Sequence, residues 1–410
     1  MHRLRLIALL GLAPSLTPAA ELHVGAGQTF ASIRPALAAA RAGDTIFVHS
    51  GLYREGNLLV GKPVALVGLD RPRLDGGATA EVLTITASQV TVRGFAVQNG
   101  GAASLADLAG IKVHHASHVT IEDNRISNCS FGIYLSKAHD TVVRSNEIVG
   151  IPGQNNEGNG IHAWSCAGLE LDRNRVSGQR DGIYLEFTTD SAITRNLVTD
   201  NLRYGLHFMS SHRNTYRGNS FLCNGAGVAV MYSHEVRMEA NLFGRSWGSA
   251  AYGLLLKDMA DSQIVGNTFE SNSTAVTMQG VTRMTVERNL FRENGWALQV
   301  QSSCTDNVFS GNNFVGNSFD LATNGQLDLN RFDGNYWDKA ENFDLNRDGV
   351  ADVPYRPVSL FAMLVERMPS ALLLLRSPLV HFLDRAERIF PSLTPDRLID
   401  PHPVMRPHPR

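Results

Sequence analysis

A repeat of about 22 residues restricts the fold of this chain more than any other feature of its sequence. An asparagine recurs two residues before an aliphatic or aromatic residue, at intervals of 22, 28, 22, 23, 22, 26, 22 and 23 residues. These positions are Asn124, Asn146, Asn174, Asn196, Asn219, Asn241, Asn267, Asn289 and Asn312. A glycine followed by a short apolar stretch keeps nearly the same intervals from Gly132 to Gly253. Each repeat is too short to bury an apolar face alone, so the repeats must stack on one another.

The apolar stretches inside each repeat have the length of short strands and leave no room for an amphipathic helix. This predicts an all-β fold, a right-handed parallel β-helix in which coils of about 22 residues form a solenoid. Successive coils of such a stack lie about 4.8 Å apart, so equivalent positions become ladders along the axis. Asparagine suits the corners because it tolerates left-handed backbone and its amide can bond the turn. We therefore expect the asparagine column to be structural.

Other segments are expected to cover both ends of the repeat. Residues 31–40 predict a helix that caps the first coil, before strands near 45–48 and 64–67. The start of the chain has the basic residues, short apolar run and small residues of a secretory signal peptide, which places the mature chain outside the cytoplasm. The predicted division is a signal peptide at 1–20, the capped β-helix at 21–333, a C-terminal capping segment at 334–357 and a helical tail at 358–410.

Charge and cysteine usage exclude some classes of partner and site. With 37 basic and 39 acidic residues the formal net charge is -2, so the whole molecule has no field that would attract nucleic acid or an anionic membrane. The four cysteines, Cys129, Cys166, Cys223 and Cys304, match neither one structural period nor a Cys-x-x-Cys motif. Isolated buried thiols are favoured over a disulfide framework.

Methionine and histidine recur at the interval of the repeat in "GLHFMSSH" (205–212) and "GVAVMYSH" (227–234). Strand alternation places His207, Met209 and Met231 on the outer face, with the two methionines as ladder neighbours. His212 and His234 follow three residues after each methionine. Thioether sulfur and imidazole nitrogen suit Cu(I), whereas the carboxylates that calcium, magnesium or manganese prefer are absent here. A structural explanation stays open, because a repeat stacks like residues by default.

An Asp-rich segment follows the last repeat. Its oxygens alternate as in the first nine positions of a calcium loop, with a glycine at the sharp turn. The candidate ligands are Asp344, Asn346, Asp348 and Asp352. Position twelve is Tyr355 instead of the bidentate glutamate that completes the usual cage. A calcium site and an Asp-rich turn that caps the last coil both remain open, and either role would be structural.

The tail after residue 358 has leucines and aromatic residues at helical spacing, interrupted by Pro369 and Pro378. No segment reaches the ~18 to 20 uninterrupted apolar residues that a membrane span needs. Two short amphipathic helices could fold back on the open end of the solenoid or lie against a membrane-bound partner. We favour the partner, because "ALLLLRSPLVHFL" is more apolar than a solvated cap requires.

The chain resembles the NosD family of periplasmic accessory proteins in nitrous oxide reductase maturation. The motifs that carry the resemblance are "YGLHFMSSH", "GAGVAVMYSH", "YGLLLKDMADSQIVGN", "NGWAL", "GNYWD" and "DLNRDGVADVPYRP". The resemblance implies a non-enzymatic role: accepting copper from a membrane-anchored chaperone of NosL type, working with an ABC transporter of NosY and NosF type, and supplying nitrous oxide reductase. It also implies association with the inner membrane through docking of the C-terminal helices on the permease.

Carried over to this sequence, the resemblance implies copper ligands at His207, Met209, Met231 and His234. Met259 and Lys257, in the next coil, are further candidates, and Ala229 stands where the previous coil has His207. Two other classes stay open, a non-metal scaffold and a polysaccharide lyase, hydrolase or epimerase. Such enzymes need facing carboxylates, or an acidic calcium cluster with a base. Glu186, Asp181 and Asp258 lie instead on different coils, without a facing partner.

Overall fold

Three parallel sheets wind around one apolar core and form the predicted β-solenoid. This computed structural model describes residues 19–103, 107–150, 158–325, 329–375, 377–389 and 398–409. Within these residues the sheets, here named A, B and C, contain 14, 13 and 12 strands. Nearly all of the predicted signal peptide at 1–20 lies outside the described residues, as do residues 151–157.

The strands follow one another in the order of the repeat, so that each coil gives at most one strand to each sheet. Sheet A contains β1 (Glu21–Val24), β2 (Thr45–Val48), β5 (Ala65–Gly68), β8 (Thr91–Arg93), β11 (Thr120–Glu122), β14 (Val142–Arg144), β17 (Glu170–Asp172), β20 (Ala192–Thr194), β23 (Thr215–Arg217), β26 (Arg237–Glu239), β29 (Gln263–Val265), β32 (Thr285–Glu287), β35 (Val308–Ser310) and β38 (Arg331–Asp333). Sheet B contains β3 (Leu52–Tyr53), β6 (Arg73–Asp75), β9 (Ala96–Gln98), β12 (Arg125–Ser127), β15 (Glu147–Val149), β18 (Arg175–Ser177), β21 (Leu197–Thr199), β24 (Ser220–Leu222), β27 (Leu242–Gly244), β30 (Thr268–Glu270), β33 (Leu290–Arg292), β36 (Asn313–Val315) and β39 (Tyr336–Trp337).

Sheet C has the longer strands and the wall that concerns function. It contains β4 (Leu58–Val60), β7 (Leu83–Ile85), β10 (Ala109–His114), β13 (Phe131–Ser136), β16 (Asn159–Trp164), β19 (Asp181–Glu186), β22 (Tyr204–Met209), β25 (Ala226–Met231), β28 (Tyr252–Lys257), β31 (Thr274–Gln279), β34 (Trp296–Val300) and β37 (Phe319–Ala322). The recurring glycine lies near the start of these strands because successive coils touch there. A Cβ atom on Gly227 would lie 2.2 Å from the carbonyl oxygen of Gly253.

Equivalent residues stack inside the solenoid, as the interval predicts. The rings of Phe243, Phe269, Phe291 and Phe314 lie parallel, with centroids 4.7, 5.0 and 4.8 Å apart. These side chains are fully buried. The repeat therefore converts one sequence position into a continuous apolar column.

The asparagine column is structural. Asn219 is 1% exposed, and its Nδ2 donates to the carbonyl of Ile193 (2.8 Å) and to Oδ1 of Asn241 (2.9 Å). Its own Oδ1 accepts from the backbone N–H and the Nδ2 of Asn196, both at 2.9 Å. The same pattern runs from Asn124 to Asn335 and satisfies each buried amide through the next coil.

A short helix covers the first coils. Helix α1 (Ile33–Ala39) lies inside the predicted 31–40 segment and buries Ile33 and Ala36 in the core. The strand predicted at 45–48 is β2, and the one predicted at 64–67 is β5, displaced by one residue.

The C-terminal tail covers the other end, which is one of the two arrangements that the sequence left open, and docking of its helices on a partner stays a prediction. Helix α2 (Leu360–Arg367) packs Phe361 and Val365 into a cluster with Phe319 of β37. A 3-10 helix (Pro369–Leu374) and α3 (Pro378–Ile389) follow. Residues 398–409 then return to the last coils. Among the described residues, no helix has the length and apolar character of a membrane span.

Asp400 ends the asparagine ladder. Its carboxylate is fully buried and accepts hydrogen bonds from the backbone and Nδ2 of Asn335 (both 2.9 Å) and from Nε1 of Trp337 (3.0 Å). The division predicted at residue 358 thus separates segments that share one hydrogen-bond network.

The cysteines are unpaired. Cys129, Cys166 and Cys304 are buried free thiols, which agrees with the prediction, whereas Cys223 is exposed.

Candidate functional site

The two methionines lie side by side on the outer wall of sheet C. Met209 pairs in register with Met231, and the same ladder continues to Glu186 on one side and Lys257 on the other. All four side chains are half-buried. The predicted outward register is therefore correct for both methionines.

His207 lies on the same face two residues before Met209, but it is covered. An aromatic column of Tyr134, His162, Tyr184 and His207 runs along the wall with centroids 4.8, 4.8 and 4.6 Å apart. The ring of Tyr204 lies 5.0 Å from His207, which is 5% exposed. Strand alternation predicted the direction of the His207 side chain but not its burial by the neighbouring rings.

His212 and His234 form a pair at the corner that follows sheet C. Their rings stack at 4.0 Å, and the backbone N–H of His234 donates to Nδ1 of His212 (3.3 Å). Burial, and then the neighbouring His234 and Arg213, lowers the pKa of His212. Nδ1 of His234 lies 3.0 Å from Glu235. Because Nδ1 of His212 accepts this hydrogen bond, neutral His212 carries its proton on Nε2.

Left-handed residues separate the corner histidines from the methionines. Ser210 and Tyr232, directly after Met209 and Met231, have φ of 48° and 54°. The following residues, Ser211 and Ser233, are buried. The histidines therefore belong to the corner column, next to the methionine ladder and not within it.

The structure does not place Met259 with the other candidates. Asp258 takes the left-handed turn (φ 50°), and Met259 then points into the core, where it is 1% exposed. Met259 is the structural equivalent of Ser211 and Ser233, so its inclusion as a ligand is wrong. Lys257 is on the outer wall, with its ammonium 5.8 Å from the ring of Tyr232.

Among the described residues, no three histidine, cysteine, aspartate or glutamate side chains converge in a way that could hold a metal ion. A metal site on this wall would therefore depend on the sulfurs of Met209 and Met231.

Asp181 is a carboxylate beside His207 that sequence reasoning considered only for catalysis. It is fully buried, and Nε of Arg203 donates to its Oδ1 at 2.7 Å. Its Oδ2 lies 3.5 Å from Nδ1 of His207. Burial by itself would raise the pKa of Asp181, but the hydrogen bonds and the charge of Arg203 hold that pKa below its ordinary value. The interval of 22 between Asp181 and Arg203 is the signal that could have revealed the pair.

A cavity of about 440 Å³ opens further along the same wall. Its lining includes Asp107, Tyr134, His162 and Glu186. Burial lowers the pKa of His162 to about 4, so this imidazole is neutral at pH 7. Burial, and then the charge of Asp107, raises the pKa of Tyr134. Sequence reasoning missed Asp107, which shares this cavity with Glu186.

The Asp-rich loop is held by its own backbone. Oδ1 of Asp344 accepts from the N–H of Arg347 (2.6 Å), and Oδ2 accepts from Gly349 (2.9 Å). Oδ1 of Asp348 accepts from Val350 (2.8 Å), and Oδ2 of Asp352 from Leu345 (2.6 Å). These contacts fit an Asp-rich turn, and calcium binding by Asp344, Asn346, Asp348 and Asp352 stays a prediction. Melting with calcium and with a chelator would test it.

Comparison with known proteins confirms the resemblance to the NosD family. A sequence model of the family described as "Periplasmic copper-binding protein (NosD)" matches residues 76–201 and 150–344, which together span more than half of the chain. The chain belongs to the NosD family. Members of the NosD family are thus described as periplasmic.

Two relatives of the NosD family are named "Probable ABC transporter binding protein NosD". The one from Pseudomonas aeruginosa is 30% identical over 372 residues, 86% of each chain. The one from Stutzerimonas stutzeri is 28% identical over 345 residues, 79% of this chain and 78% of the relative. Both relatives carry the name of a transporter binding protein and not of an enzyme.

Solved structures resemble the fold. The catalytic domain of a GH87 alpha-1,3-glucanase in complex with nigerose has a TM-score of 0.62 and 12% identity, covering 81% of this chain and 71% of that one. The Dettilon tailspike protein has a TM-score of 0.55 and 14% identity, covering 70% and 64%. At such identities the likeness shows the β-solenoid only.

Proposed function

We propose that the sheet C wall of this NosD-family chain binds Cu(I) as cargo, through Met209, Met231 and His207, with His234 at the adjoining corner. The observation that carries this proposal is the pair of half-buried thioethers in register, next to an imidazole without a regular hydrogen-bond partner among the described residues. Thioethers are soft ligands that bind Cu(I) without losing a proton. They also avoid the oxidation to which thiolates are liable outside the cytoplasm.

The proposed partners follow from the family. A membrane-anchored chaperone of NosL type would deliver copper, and an ABC transporter of NosY and NosF type would act with the chain at the inner membrane. Nitrous oxide reductase would receive the copper. The names of both relatives as transporter binding proteins support the transporter contact.

The test is a Cu(I) titration of the mature chain in competition with a chromogenic chelator. Replacing both methionines, Met209→Ala with Met231→Ala, removes the two sulfurs and should weaken Cu(I) binding on the order of 1000-fold, about 4 kcal/mol. Gln279→Ala, further along the same ladder, and Met368→Ala, an exposed methionine of the tail, are matched controls that should keep wild-type affinity. Unchanged affinity in the double variant would remove this wall as the copper site.

The tail supplies a surface suited to the permease. Leu373, Phe382 and Ile389 are 91%, 67% and 70% exposed, although α2 of the same tail is packed on β37. Deleting residues 360–410 would also remove Asp400 and disturb the end of the solenoid. We therefore propose Leu373→Asp with Phe382→Asp, which should abolish co-purification with the transporter and leave the melting temperature unchanged. Leu345→Asp, at a 79% exposed position outside the tail, is the control and should still co-purify.

A second candidate function is enzymatic cleavage of a glycan in the cavity lined by Asp107, His162 and Glu186. Its support is that two carboxylates and a neutral imidazole share one cavity, and that the fold occurs in a glucanase. The raised pKa of Tyr134 argues against this residue as a base in such a site. Depolymerisation of uronate polymers by the wild type, lost in Glu186→Gln, would favour this function over copper handling.

A further inference from the structure

His207 occupies an unusual environment for a residue of an outer wall. Its ring lies between Tyr184 (4.6 Å, interplanar angle 18°) and Tyr204 (5.0 Å), and it is 5% exposed. Neither ring nitrogen makes a regular hydrogen bond with the described residues. Leaving a buried polar atom without a partner costs free energy, so such an atom needs an explanation.

Asp181 is the charged group that His207 faces, one coil earlier. Arg203 binds the carboxylate through Nε (2.7 Å) and through Nη2, and the backbone N–H of Tyr204 donates to Oδ1 at 3.3 Å. Held by the guanidinium, the carboxylate is ionised and can only accept hydrogen bonds. Its Oδ2 lies 3.5 Å from Nδ1 of His207, at the outer limit of a hydrogen bond.

We infer that Asp181 is a positioning residue that keeps His207 in the Nδ1–H tautomer and so leaves Nε2 as the lone pair that binds Cu(I). The inference rests on the proposed function. A lone pair on Nδ1 would point at a fixed negative charge, whereas an N–H there is attracted to it. Carboxylates that hold the second nitrogen of a metal-binding histidine in this way fix its tautomer and ring orientation.

Arg203 and the tyrosines fix this arrangement before copper arrives. The guanidinium lies 4.8 Å from the ring centre of Tyr204, and the hydroxyl of Tyr252 lies 3.3 Å from that of Tyr204. Tyr204 and Tyr252 are two coils apart, and the coil between them has the small residues Ala226 and Ala229 on this wall. The small side chain of Ala226 leaves room for the contact between the two tyrosines.

The experiment observes the tautomer directly in the full mature chain labelled with 15N-histidine. Long-range proton–nitrogen spectra of the copper-free protein distinguish Nδ1–H from Nε2–H, and His207→Gln assigns the signal. The wild type should show Nδ1–H. In Asp181→Asn, the amide oxygen would accept from Arg203 and the NH₂ group would face His207, which should switch the ring to Nε2–H. Cu(I) affinity should then fall by about 10- to 100-fold.

Asp172→Asn is the matched control. Asp172 is 1% exposed and accepts from Nε of Arg195 (2.8 Å), but it belongs to sheet A. The Asp172→Asn variant should change neither the His207 tautomer nor the Cu(I) affinity, whatever its effect on stability. An Nε2–H tautomer in the wild type, or an affinity loss in Asp181→Asn no larger than in Asp172→Asn, would overturn the inference. A wild type that binds no Cu(I) would instead overturn the proposed function.

Discussion

The asparagine ladder and the methionine–histidine wall arise from the same repeat but differ in how their polar atoms are used. In the ladder, Asn219 satisfies its amide through hydrogen bonds to the coils on both sides. On the wall, Met209 and Met231 stay half-buried, and His207 keeps ring nitrogens without regular partners. Stacking of like residues is therefore no sign of function by itself. The difference lies in whether each stacked group already has its partners.

Removing one member of the ladder should have the largest effect on stability. Asn219→Ala deletes the acceptor of the backbone and side chain of Asn196 and the donor to Ile193, all buried, so the free energy of unfolding should fall by about 3 kcal/mol. Cu(I) affinity should stay at the wild-type value. Denaturant unfolding and the chelator titration measure both. Met209→Ala should instead weaken Cu(I) binding and leave the free energy of unfolding nearly unchanged. If Asn219→Ala and Met209→Ala had equal effects on stability and on Cu(I) affinity, the distinction between the ladder and the wall would be wrong.

The buried histidine of the wall should make stability depend on pH. Burial lowers the pKa of His162 to about 4, so below its ordinary value of 6.5 the unfolded chain binds a proton that the folded chain does not. The neutral imidazole makes its full contribution to the free energy of unfolding above pH 6.5. This contribution decreases as the pH falls towards 4. Between pH 7 and pH 5 the loss should be about 2 kcal/mol.

His162→Phe is the control for that effect, because phenylalanine can stack between Tyr134 and Tyr184 and does not titrate. Its free energy of unfolding should fall less between pH 7 and pH 5 than that of the wild type. Equal pH dependence in both proteins would show that His162 is accessible to water and protons.

The end of the ladder should tolerate change better than its middle. Asp400→Ala removes the acceptor of Asn335 and Trp337, but the segment that carries Asp400 lies at the end of the solenoid and can open locally, so we expect a loss of about 1 kcal/mol. Denaturant unfolding of Asp400→Ala and of Asn219→Ala gives the ratio of their losses in the free energy of unfolding. A larger loss than in Asn219→Ala would mean that the solenoid unfolds from its C-terminal end.

A change at the corner histidines should have the smallest effect, and only on the pKa of the remaining histidine. The pKa of His212 is lowered by burial and then by His234 and Arg213. His234→Gln removes the like charge, so the pKa of His212 should rise, as followed by NMR titration. Gln279→Ala on the wall should leave this pKa where it is in the wild type. No rise in the pKa would mean that the stacked pair does not persist in solution.

Much of the fold and part of the site could be predicted because the interval and the strand alternation are local properties. They predicted that Met209 lies beside Met231 and that the asparagine column is structural. They failed at Met259, because the left-handed Asp258 reverses the direction of the next side chain, and composition does not reveal that turn. They also failed at Asp400, which lies outside the repeat and meets Asn335 only in the folded chain.

The sequence by itself determined which residues stack, because a fixed interval brings equivalent positions together at every coil. Only the tertiary structure decided which of these stacked groups stay accessible. Tyr204 and Tyr184 cover His207, and Arg203 holds Asp181 beside it, through contacts between different coils. Burial depends on which side chains pack across the wall, so no interval along the chain encodes it.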